Sequence, residues 1–122
     1  MGVASVSWAG PSTLVSAAAS LTDAFREVGA AFVRADPARR VTFNFAASGV
    51  LVRQAEQGAP VDVLATADVE SMAWAGAKGL LDPTSLRDFA SNRLVLVVPA
   101  GSAPGVRASG DLAGPAVTRV AV

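Results

Sequence analysis

Two serines stand at the same point of a repeated construction. Ser20 closes SAAAS and Ser48 closes FAAS, each behind an apolar run and ahead of a helical pattern. A hydroxyl at a helix start lies beside the unpaired N–H groups of the first turn, where roughly half a positive charge resides. Two such starts on the carboxyl edge of one parallel sheet, where open α/β folds bind their ligands, would cradle an anion without any lysine or arginine. Small residues around them (Ala17, Ala18, Ala19, Ala46, Ala47 and Gly49) let the backbone come close to an ion. The simpler reading is that each serine only caps its helix, a contribution of about 1 kcal/mol. Recurrence at two matching positions sets the anion reading beside it. A cradle made only of donors suits a fully deprotonated tetrahedral dianion. Phosphate keeps a proton near neutral pH and would want an acceptor, which neither serine turn supplies.

The rest of the composition removes most other chemistry. The 122 residues contain no histidine, cysteine or tyrosine, and ten basic residues balance ten acidic ones. Cys/His metal sites, disulfides, thiol nucleophiles and Ser-His-Asp catalysis are therefore excluded. A nucleic-acid surface resting on excess positive charge is excluded too. AASGV lacks the G-x-S-x-G elbow, and no GxxxxGK[ST] phosphate loop occurs. Asp62 and Asp68 are read as a strand-end partner and a helix cap rather than an acid/base pair, and no metal site is expected. Lys78, the only lysine, falls at a helix end, and Trp8 and Trp74 are read as packing residues. The longest apolar run, Leu94–Ala100, is far short of the ~20 residues that span a membrane.

The elements that must position the serines follow from periodicity. Thr13–Ala17 and Val41–Ala46 are expected strands, dense in β-branched and apolar residues. After Ser20, with Asp23 completing a capping-box variant, Leu21, Ala24, Phe25, Val28, Ala31 and Phe32 recur at helical spacing, and Asp36-Pro37 stops them. A short helix is expected over Gly49–Gln57 with Gly58 as its cap, and a strand over Val61–Ala65. A third helix should run from Val69 to Lys78, capped by Asp68 and ended by Gly79. Leu80–Ala90 reads as a proline turn, Arg93–Val98 as a strand buried on both faces, and Ala100–Pro115 as loop. Thr118–Val122 reads as the start of another strand. This alternation gives an α/β fold, a parallel sheet with helices on both faces.

Three stretches, Ala17–Phe25, Phe45–Asp68 and Asn92–Pro99, resemble the periplasmic molybdate-binding proteins of ABC importers. The Ser-Leu-Thr-Asp helix opening together with RQ-x-E-x-GAP-x-DV carries the likeness, which runs from about Leu14 to Pro99. The resemblance implies a type II periplasmic-binding-protein-like fold of two lobes joined by crossover strands. Residues 1–12 would be an N-terminal extension, 13–91 the first lobe, and 92–122 a crossover strand with an incomplete start of the second lobe.

The first-lobe ligands of the family match Ser20 and Ser48, with nearby backbone of Ala19, Leu21 and Gly49. Ser16 and Ala47 are departures from some relatives. The remaining ligands would come from residues beyond Val122. The implied function is non-catalytic binding of molybdate or tungstate as ligand, with no cofactor, by a monomer that docks on a membrane permease. The implied location is periplasmic or extracellular, although MGVASVSWAGPS lacks a basic residue and reads poorly as a secretory signal. That departure leaves a second reading, a cytoplasmic oxyanion-sensing domain of a regulator, and a third, a non-functional fragment. An enzyme of phosphoryl or acyl transfer would need a base or metal that the composition does not supply.

Overall fold

The central strand of the sheet is the stretch that carries the first serine turn. The computed structural model describes residues 12–101, 105–115 and 117–120. Strand β1 (Ser12–Ala18) lies between β2 (Arg40–Ala46) and β3 (Val63–Ala65), and both neighbours run parallel to it. Parallel strands need crossovers, and helices supply them. Helix α1 (Thr22–Ala35) joins β1 to β2, and α2 (Ser48–Glu56) joins β2 to β3. Helix α3 (Val69–Ala77) follows β3. The described chain divides into two compact units, with the break between Leu86 and Arg87. In the first, this is the expected three-stranded parallel sheet flanked by helices.

Side-chain alternation assigns the faces. Val15 and Ala17 of β1 and Ala65 of β3 form the buried core under α1, joined by Leu21, Phe25, Val41, Phe43 and Phe45. Phe25 meets Phe43 edge-on at 6.4 Å, and Phe43 stacks on Phe45 at 5.2 Å. Asn44, between the two phenylalanines, points to the other face, where its Nδ2 donates to Gln54 Oε1 of α2 at 2.8 Å. Leu51 and Val52 of α2 are fully buried. Helix α3 is tied to α2 by a 2.6 Å ion pair of Lys78 with Glu56 and by Arg53 over the Trp74 ring.

Several expectations need correction. The stripe on α1 is rotated: Val28 is 64% exposed, whereas Gly29 is the buried residue of the helix. A Cβ on Gly29 would stand 2.7 Å from two Phe43 ring carbons, so the missing side chain is what lets α1 settle on that ring. The inward row is therefore Leu21, Phe25, Gly29 and Val33, each four residues apart. Strand β3 is shorter than expected, because Val61 precedes the pairing and Asp62 clasps Leu14 instead. Asp62 N–H donates to the Leu14 carbonyl at 3.0 Å, and Leu14 N–H donates to Asp62 Oδ2 at 2.7 Å.

Beyond the sheet, Pro83–Ser85 and Ser109–Ala113 are short 3₁₀ turns, the first where a proline turn was expected. Arg93–Val98 is not a strand and is not buried. It has no pairing among the described residues, and Leu94 is 101% exposed. Residues 118–120 are likewise unpaired, and the rest of the strand expected at Thr118–Val122 lies outside the described residues. High β propensity makes a segment able to pair; it does not supply a neighbour.

Candidate functional site

Register brings the two serine turns to one rim. Ala18 is the partner of Ala46 across β1 and β2, and Ala17 is the partner of Ala65 across β1 and β3. Ser20 and Ser48 each lie two residues past a matched pair, and residues 66–68 leave β3 at the same edge. Both turns are entered through an alanine of the same extended conformation, Ala18 at φ −55°, ψ 141° and Ala47 at φ −61°, ψ 141°. No lysine or arginine occurs within residues 17–22, 46–50 or 65–69.

The turns then differ. After Ala47 the chain enters α2 at once, and Ser48 is its first residue. After Ala18 it makes one 3₁₀ turn, Ala19–Leu21, before α1 begins at Thr22. Ser20 thus sits second in its turn, where a cap would have to precede the turn. Its hydroxyl caps nothing, and the expected capping box with Asp23 does not form. The hydroxyl that closes this turn is that of Thr22, which donates to the Ala19 carbonyl at 2.7 Å. Ser48 does not cap α2 with its side chain either. The capping reading fails for both serines, and the physical cause is the same: each lies inside the turn it was expected to precede.

Ser20 is exposed at the rim, and no hydrogen bond engages its hydroxyl among the described residues. Ser48 is 9% exposed, and its Oγ accepts the Ala67 N–H at 3.1 Å. That bond ties the start of α2 to the loop ahead of α3. One lone pair of Ser48 is thereby occupied, and its hydroxyl also acts on the Asp68 carboxyl. The N–H groups of Ser48 and Gly49 belong to the first turn of α2, which has no helical carbonyl to offer them. Gly49 is half-buried, with Trp74 3.7 Å from where a Cβ would stand.

The loop adds a group that the sequence reading set aside. Asp68 caps α3, its Oδ1 accepting the Ser71 N–H at 2.7 Å. That N–H first, then the Ser71 hydroxyl, hold its carboxyl below the usual carboxylate range; desolvation acts the other way, and the Ser48 hydroxyl adds the smallest lowering. The statement that neither serine turn has a carboxylate near it is thus corrected for Ser48. Asp62 stands apart from this group, clasped to Leu14 as described. Ser16, noted in the sequence only as a departure from some relatives, was not expected to be buried. It is 1% exposed on the α2 face of β1, and its Oγ has no hydrogen-bond partner among the described residues. Only the alternation of β1, with Ser16 between Val15 and Ala17, could have signalled a buried hydroxyl there.

Known proteins match this chain over most of its length. The family model of bacterial extracellular solute-binding proteins matches residues 13–122. The molybdate-binding protein ModA of Mycobacterium bovis is 40% identical over 111 residues, covering 89% of this chain and 41% of its own length. ModA of Haemophilus influenzae is 38% identical over 89 residues, covering 73% of this chain and 35% of its own. Among solved structures, a substrate-binding domain of a molybdenum ABC transporter from Clostridium difficile superposes with a TM-score of 0.53 at 34% identity. That superposition covers 55% of this chain and 29% of that one. This chain spans about two-fifths of the length of the curated relatives it matches. With a matched stretch reaching from β1 to its last residue, the chain belongs to the bacterial extracellular solute-binding proteins.

Proposed function

We propose that this chain carries one half of an oxyanion site, for molybdate or tungstate, in the solute-binding component of an ABC importer. Ser20 and Ser48 donate their hydroxyls, and the backbone around Ala19, Leu21 and Gly49 adds N–H donors. The observation that carries this reading is the register of the sheet, which sets two serine-bearing turns side by side on one rim, neither turn containing a lysine or arginine of its own. The names of the relatives supply the identity of the ion. In this reading residues 13–91 are a first lobe, 92–122 a crossover segment opening a second, and the whole protein is periplasmic or extracellular. No described helix is long and apolar enough to cross a membrane. In this reading the partner that receives the ion is a membrane permease.

Half a site binds weakly. If about three charge-assisted hydrogen bonds come from the opposite lobe, their absence costs ~4.5–9 kcal/mol. That weakens binding roughly a thousandfold to a millionfold. The test is an NMR titration of the chain with millimolar molybdate. The expected result is saturable, weak shifts confined to the amides of residues 19–21 and 48–49, lost in the Ser20→Ala/Ser48→Ala double variant. Shifts elsewhere, or shifts indifferent to that double variant, would remove the reading; tight one-to-one binding would remove the half-site argument.

A further inference from the structure

The loop behind Ser48 brings a charge to the rim as well as a donor. Residues 66–68 leave β3 at that edge, and the Ala67 N–H donates to Ser48 Oγ at 3.1 Å. Asp68 is the next residue, so the bond that fixes the loop also brings its carboxyl to the start of α2. The loop is held at two further points. Asp68 Oδ1 accepts the Ser71 N–H at 2.7 Å, and the Thr66 hydroxyl donates to the Asp68 carbonyl at 2.9 Å. The Ser71 and Ser48 hydroxyls act on the same carboxylate. No ion pair engages Asp68 among the described residues, and Arg53 of α2 lies over the Trp74 ring instead.

Two roles are open to a carboxylate in that place. It could accept the proton of a protonated oxyanion, or it could act through its charge. An ionised carboxylate offers about four acceptor sites. Three donors already converge on this one, the Ser71 N–H and the hydroxyls of Ser71 and Ser48. All three favour the ionised form, so the group stays charged and has little acceptor capacity to spare. Its charge, by contrast, has no paired cation. An anion that draws a hydrogen bond from Ser48 must take that hydroxyl from Asp68 and then remain beside the carboxylate.

We propose that Asp68 is the residue that limits affinity and sets charge preference on the Ser48 side of the oxyanion site. Its carboxylate competes with the ion for the Ser48 proton and repels the ion in proportion to the ion's charge. For a dianion such as molybdate that repulsion is twice what it is for a monoanion of the same shape. Asp68 is exposed, so the repulsion is screened by salt. The inference rests on the oxyanion reading of the rim and adds to it a residue that acts through Ser48 and through space.

NMR titrations of the 122-residue chain with molybdate and with perrhenate, a tetrahedral monoanion of similar size, test it at the amides of residues 19–21 and 48–49. The variant is Asp68→Asn, because asparagine caps a helix about as well as aspartate and carries no charge. At low ionic strength Asp68→Asn should tighten molybdate about tenfold and perrhenate only about threefold. Added sodium chloride should shrink both gains. A merely structural role for Asp68 predicts the opposite sign, a loss for both ions that salt leaves unchanged. Molybdate affinity in Asp68→Asn equal to or below that of the wild type overturns the inference. So do equal gains for the two ions, and gains that persist in salt. Shifts missing from those amides in both chains remove the oxyanion reading itself, and the role of Asp68 with it. Shifts present in the wild type but not strengthened in the variant remove the role of Asp68 alone.

Discussion

Arg40–Ala46 and Arg93–Val98 are made of similar material, an arginine followed by β-branched and other apolar residues. Their fates differ. The first pairs along all seven residues with β1 and lays Phe43 and Phe45 into the core. The second keeps its main chain open, with Val97 80% exposed. Both have the intrinsic preference for extended backbone. What separates them is a neighbour: β2 is delivered to β1 by a helix of the right length, and nothing among the described residues delivers a partner to 93–98. Sheet structure is a property of pairs, and the same six or seven residues are core or surface according to whether the pair is made.

Paired substitutions in the two regions sharpen the contrast, most strongly in the core of α2. Leu51 is fully buried, and Leu51→Ala should lower unfolding stability by about 2–5 kcal/mol. Leu94→Ala should change it by less than ~0.5 kcal/mol, both read from urea midpoints at unchanged slope. Equal losses would mean that 93–98 is packed after all. Next in size is Gly29→Ala, whose methyl would meet Phe43 at 2.7 Å and should cost about 1–3 kcal/mol. A Cβ on Gly110 would meet nothing within 4 Å, so Gly110→Ala should be near neutral in the same assay.

Ser16→Ala runs in the opposite direction. It deletes a buried hydroxyl without a partner and should raise stability by about 1 kcal/mol; a loss instead would show that the hydroxyl is satisfied. The smallest contrast concerns two carboxylates. Asp68→Ala removes the cap of α3 and should cost about 1 kcal/mol near neutral pH. Asp111, held low first by the Arg107 N–H and then by that of Ala108, serves only a short turn, so Asp111→Ala should cost less. Because the folded carboxyl of Asp68 lies below its unfolded value, its contribution is full above the unfolded value of about 3.9. It fades as pH falls through the lower, folded value. Denaturant midpoints of wild type and Asp68→Ala should therefore converge in acid.

Much of the first unit was legible in the sequence because its signals are local. β-branched and apolar density marks β1 and β2, Asp68 marks the start of α3, and Gly58 and Gly79, both at positive φ, mark the turns after α2 and α3. The serine pair was legible as well, since strand, alanines, serine and helix follow one another in the chain. What stayed hidden depends on partners remote in sequence. Gly29 is buried because Phe43 lies beneath it, and β3 starts late because Asp62 reaches back to Leu14. Ser48 is anchored by the N–H of Ala67, nineteen residues on. The misreading of Arg93–Val98 has the same origin: propensity was visible, and the absence of a neighbour among the described residues was not.

Lys78 is the chain's only lysine, and it follows the last turn of α3, whereas the rim lies at the first turn of that helix. Nine helical residues place about 14 Å between them. Its side chain is 47% exposed even while paired with Glu56. An amine-directed fluorophore would therefore have a single side-chain attachment point, rigidly carried by the same helix and clear of Ser20 and Ser48. The fold comes with its own handle for testing whether an ion arrives at the proposed site.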